Sequence, residues 1–133
     1  NISAKKLGGI AQDFTQSGGV RPFGVSLLIA GYDKQRGCQL YQVDPTGAWW
    51  SWKASAIGKA QTTAKHFLEK RYRDNMGIAD AISIALLTLK ESFDGDVTST
   101  NIEVGVVRLN KKTQKFQCDI LTPNEVQDYL DTL

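Results

Sequence analysis

The stretch 21–59 constrains the fold most, because it reads as three apolar strands joined by two tight turns and running straight into a helix. Val25, Leu27 and Ile29 fall on one side of the first strand and Leu28 and Ala30 on the other. A strand that is apolar on both faces expects cover on both. The first turn occupies 32–37, with Asp33, Lys34, Gln35 and Arg36 between Tyr32 and Gly37, and the second strand follows at 38–43. In the second turn, Asp44-Pro45-Thr46-Gly47, an Asp stands at the first position, a Pro with preset φ at the second and a Gly at the fourth. That is the sequence of a type I turn. A third strand is expected over about 49–57, after which Gly58 and Lys59 open a helix.

Ahead of this stretch, Leu7, Ile10, Ala11 and Phe14 recur at helical spacing and predict an amphipathic helix over 2–15. Gly8 and Gly9 within it each cost about 1 kcal/mol against Ala, so packing has to hold the helix. Behind it, Ala60, Ala64, Phe67, Leu68 and Tyr72 mark the inner face of a helix ending near Asn75. Ile78, Ala81, Ile82, Ala85, Leu86, Leu89 and Phe93 then give a core helix a broad apolar face, with Leu86 expected to be buried against the sheet. After a loop at 94–101, strands are expected at 102–109 and 116–121, forming a hairpin whose tip carries Lys111, Lys112 and Lys115. Thr122-Pro123-Asn124-Glu125 places a capping Thr, a first-turn Pro and a Glu three residues past the cap. Val126, Tyr129, Leu130 and Leu133 form the stripe of the helix that follows. This order lacks βαβ alternation and predicts an α+β fold, an antiparallel sheet with flanking helices.

At 133 residues, with 41% of them hydrophobic, the chain is the size of one globular domain and too apolar for disorder. A net charge of +2 from 16 basic and 14 acidic residues makes no basic face, which argues against nucleic acid or an anionic membrane as partner. No apolar run approaches the ~20 residues of a membrane-spanning helix and no leader opens the chain, so a soluble intracellular protein is expected. Cys38 and Cys118 each fall inside a predicted strand and are expected as buried thiols, a disulfide being the alternative.

Candidates for chemistry are few. His66 is the only histidine, and no Ser or Cys has a context that would pair with it, so a surface or packing role is expected. Gly8-Gly9 and Gly18-Gly19 fit neither dinucleotide nor P-loop spacing, and Gly58-Lys59 is followed by Ala60 where a P-loop needs Ser or Thr. Asp94 and Asp96, beside Gly95, read as a solvated turn before they read as a metal pair. Neither a metal nor a cofactor is expected. Asn1-Ile2-Ser3 fits the glycosylation sequon, without meaning in an intracellular chain. Trp49, Trp50 and Trp52 invite a stacking site, but neighbours on a strand point to opposite faces, which favours packing or a subunit contact.

Several ordered runs carry a resemblance. Ser17-Gly18-Gly19-Val20-Arg21-Pro22-Phe23-Gly24, followed through to Asp33, then Leu40-Tyr41-Gln42-Val43-Asp44-Pro45-Thr46-Gly47 and Trp52-Lys53-Ala54-Ser55-Ala56-Ile57-Gly58-Lys59, closely resemble alpha-type subunits of the 20S proteasome, the alpha-2 branch most of all. The likeness continues through Phe67-Leu68-Glu69-Lys70-Arg71-Tyr72 and Ala85-Leu86-Leu87-Thr88-Leu89-Lys90-Glu91. It implies the second half of a four-layer α/β/β/α sandwich of the Ntn-hydrolase type, with residues 1–133 as the C-terminal portion of one alpha-type domain. The opening strands and one earlier helix are then expected to be missing, leaving one sheet face in want of a partner. Active beta-type relatives carry Gly-Ser-Gly where this chain has Gly58, Lys59 and Ala60, and an N-terminal Thr as nucleophile. With Arg21-Pro22-Phe23-Gly24, this difference places the chain in the alpha branch, whose members do not cut peptide bonds but build the outer rings. The resemblance implies other alpha subunits and beta subunits as partners, a regulatory particle met through the missing part, and a cytoplasmic and nuclear location. It also implies a ring-contact role for helix 2–15, with Lys5, Lys6, Gln12 and Gln16 as interface residues. A catalytic beta-type threonine protease subunit and a stand-alone binding module remain the alternatives.

Overall fold

The computed structural model describes residues 26–133. Helix 2–15 and its four interface candidates, Lys5, Lys6, Gln12 and Gln16, lie outside the described residues. The chain falls into two compact units that divide between Lys53 and Ala54.

In the first unit three strands, β1 (Leu27–Asp33), β2 (Gly37–Val43) and β3 (Trp49–Trp52), form an antiparallel sheet in the order β1-β2-β3. The first connection is tighter than the sequence suggests, because Tyr32 pairs with Cys38 and Asp33 with Gly37, leaving only 34–36 outside the ladder. The Asp33 carboxylate accepts the Gln35 N–H at 2.8 Å, and Gly37 takes a φ of +79° that glycine adopts without steric cost. The second connection forms at the predicted turn, where the Gly47 N–H donates to the Asp44 carbonyl at 3.0 Å and the Asp44 N–H to the Ala48 carbonyl at 2.8 Å.

Register decides what this sheet buries. Leu27 stands opposite Val43 and Ile29 opposite Tyr41, and Val43 in turn faces Trp49. Tyr41 and Val43 are buried with Ile29 packed against them, and the Trp49 ring lies tilted against Tyr41 with centroids 6.0 Å apart. On the other face Gln42 is buried too, its side-chain carbonyl accepting the Trp52 indole N–H at 2.9 Å, so a polar group out of water keeps a partner. Two expectations are corrected here. The first strand is not covered on both sides, since Leu27 and Ala30 are exposed. The third strand ends at Trp52 and not near Ile57, because its pairing with β2 runs only from Trp49 to Trp52 and the chain bends at Lys53 and Ala54.

The second unit contains α1 (Gln61–Arg71), α2 (Ile78–Ser92), the strands β4 (Gly105–Asn110) and β5 (Lys115–Ile120), and α3 (Pro123–Asp131). Helix α1 starts later than expected because Gly58 holds a φ of +107°, outside the helical region, and it ends earlier because Tyr72 is already extended and Asn75 is left-handed at +64°. Ala64 is its buried residue, and the Arg71 guanidinium lies over the Phe67 ring at 5.0 Å.

Helix α2 packs against both α1 and α3. It buries Ile82, Leu86 and Thr88, and the Thr88 hydroxyl donates to the Ile84 carbonyl one turn back at 2.7 Å. The broad apolar face expected from the sequence is only partly used. Ile78, Ala81, Ala85, Leu89 and Phe93 are exposed, so the packing of α2 against its two neighbouring helices covers only part of that face.

Strands β4 and β5 pair antiparallel from Gly105 opposite Ile120 to Asn110 opposite Lys115, as a two-stranded sheet of their own. The expected antiparallel architecture is therefore present as two separate sheets among the described residues. Residues 102–104 precede the ladder instead of opening it, with one contact beyond its end from the Leu121 N–H to the Val104 carbonyl at 2.9 Å. Asn110 builds the tip, its side-chain oxygen accepting the Lys112 and Thr113 N–H groups at 3.0 and 3.3 Å. One face of the hairpin is polar, closed by Arg108 to Asp119 at 3.4 Å, Asn110 to Gln117 at 3.0 Å and Gln117 to Asp119. The other carries Phe116, Cys118 and Ile120 into solvent. Both cysteines are thus exposed and not buried: Cys118 lies on this uncovered face and Cys38 at the outer end of β2.

Helix α3 begins with the predicted capping box. The Thr122 hydroxyl accepts the Glu125 N–H at 3.3 Å, and the Glu125 carboxylate accepts the Thr122 N–H at 3.1 Å. Val126 is its buried anchor, Tyr129 and Leu130 are half-buried, and Leu133 is exposed beyond the helix end. Thr122→Ala removes one of these bonds and leaves the other without its reciprocal partner, so it lowers stability by about 1 kcal/mol. A denaturant midpoint equal to wild type would show that the box does not form in solution.

Candidate functional site

The residues with possible chemistry are scattered. His66 stands exposed on α1, the surface placement its sequence context suggests. Asp94 and Asp96 flank Gly95, whose φ is +127°, in an exposed turn. That loop is organised by Asn101, whose side chain donates to the Asp96 carbonyl and accepts the Thr98 N–H, both at 2.9 Å. The loop therefore closes through an amide and not around the carboxylates. Among the described residues no group of three or more His, Cys, Asp or Glu side chains is placed to hold a metal ion, and no helix is long and apolar enough to cross a membrane.

The tryptophans divide between the two faces of β3 as the alternation requires. Trp49 leans on Tyr41, while Trp50 and Trp52 meet edge to face with ring centroids 6.4 Å apart. Trp52 is further held by its bond to Gln42. These rings pack on one another and on the sheet, while Trp49 and Trp52 each keep more than a third of their surface exposed. The arrangement suits a contact surface better than a slot for a ligand.

One feature was not foreseen: an open groove of about 350 Å³ lined by Ala79, Asp80 and Ser83 from α2 and by Asp128, Tyr129 and Thr132 from the end of the chain. The Thr132 hydroxyl is engaged, donating to the Tyr129 carbonyl at 2.8 Å. The groove is lined by two carboxylates and by the hydroxyl-bearing Ser83, Tyr129 and Thr132, with no histidine, cysteine or cation among its lining residues. Its two walls come from segments distant in sequence, and no local pattern announces it.

At the turn before α1, where the resemblance is most informative about catalysis, Gly58, Lys59 and Ala60 lead into the helix, and the Gln61 N–H reaches the Gly58 carbonyl at 3.3 Å. Lys59 is exposed, and neither it nor Ala60 offers a hydroxyl.

The proteasome subunit family model matches residues 1–107. This chain belongs to the proteasome subunit family. Proteasome subunit relatives agree over nearly all of it. The chain is 58% identical over 121 residues to proteasome subunit alpha type-2-A of Arabidopsis thaliana, covering 91% of this chain and 49% of that protein. It is 53% identical over 126 residues to proteasome subunit alpha type-2 of Dictyostelium discoideum, covering 95% and 52%. With the probable proteasome subunit alpha type-2 of Neurospora crassa the identity is 47% over 144 residues, covering 99% and 57%. The chain thus spans about half the length of the curated proteasome relatives it matches.

Proposed function

We propose that this chain contributes to a non-catalytic alpha-type subunit in the outer ring of the 20S proteasome, supporting ubiquitin-dependent and other proteasomal breakdown of proteins. The observation that carries the reading is the 47–58% identity, over nearly the whole chain, to proteins named proteasome subunit alpha type-2. The absence of a hydroxyl at Lys59 and Ala60 supports it against the catalytic beta-type alternative. A stand-alone binding module is disfavoured by the same long identity. In this reading residues 1–133 are the C-terminal portion of one alpha-type domain, and the two antiparallel sheets and three helices belong to a four-layer α/β/β/α sandwich. Other alpha subunits and beta subunits are its partners, a regulatory particle docks through a part outside these residues, and the protein works in the cytoplasm and nucleus. Lys5, Lys6, Gln12 and Gln16 are proposed as ring contacts.

The test uses the natural gene product, purified alone and given fluorogenic peptides of varied sequence. No turnover above buffer is expected. Turnover abolished by a threonine-directed inhibitor would overturn the alpha reading in favour of the beta type. In parallel, an epitope-tagged copy expressed in its own cells should co-migrate with the assembled particle on a native gel. Migration solely as free protein would overturn the ring assignment.

A further inference from the structure

We draw no further inference here: the strongest candidate, the exposed apolar face of the β4–β5 hairpin carrying Phe116, Cys118 and Ile120, has nothing in the structure to show what covers it.

Discussion

Leu86→Ala lowers the stability of the chain by roughly 2–5 kcal/mol, while Leu89→Ala, three residues further along the same helix, changes it by less than about 1 kcal/mol. The two substitutions have the same chemistry and the same helix propensity term, so burial alone separates them. Leu86 is 1% exposed within a helix packed against two others, whereas Leu89 is 43% exposed on the uncovered stripe of α2. Truncating Leu86 removes apolar contacts from a site that closes only partly afterwards, and the residual cavity adds to the transfer loss. Urea-unfolding midpoints of the two variants beside wild type measure the difference. Equal shifts would mean that both faces of α2 are covered in solution, and no shift in either would remove Leu86 from the core.

Tyr41→Ala has an effect of similar size in the other unit, about 3–5 kcal/mol by analogy with other aromatic truncations. The Tyr41 ring is buried with Val43 and Ile29 and supports the Trp49 ring, so its loss undoes the packing of one whole sheet face. Its hydroxyl matters less. It donates to the Gln39 side-chain carbonyl at 3.0 Å, and Tyr41→Phe forfeits that bond for about 1 kcal/mol. Amide hydrogen exchange along β2 reads both variants: protection at 38–43 falls steeply in Tyr41→Ala and slightly in Tyr41→Phe. If Tyr41→Phe were as damaging as Tyr41→Ala, the hydroxyl and not the ring would hold the sheet.

Local chemistry was legible wherever a few adjacent residues decide the geometry. Asp44 to Gly47 close their turn, Thr122 and Glu125 cap α3, and the alternation of β3 sends Trp49 and Trp50 to opposite faces. Those outcomes follow from side chains acting on their own backbone. Whether an apolar face is covered depends instead on neighbours that periodicity does not name. The breadth of α2 predicted burial that two flanking helices supply only in part, and strand position predicted cover that neither Cys118 on the hairpin nor Cys38 on β2 receives. Strand ends failed for a related reason, since the β2–β3 register stops at Trp52 and the β4–β5 register begins at Gly105, limits set by the partner strand and not by the residues on either side. The family was legible because its signal is a long ordered run, which no isolated motif could have matched. The groove beside Asp80 and Asp128 was not, being assembled from two distant helices.

The concentration of all three tryptophans in the four-residue strand β3 gives the molecule two separate optical signals. Indole emission comes entirely from the unit that ends at Lys53, and the tilted contact with Tyr41 makes it sensitive to the packing of that sheet. The helices among the described residues all lie in the unit that begins at Ala54, so their melting shows in the ellipticity at helical wavelengths and not in the indole emission. Followed together through one thermal scan, the two signals separate the loss of the sheet from the loss of the helices without any label being attached.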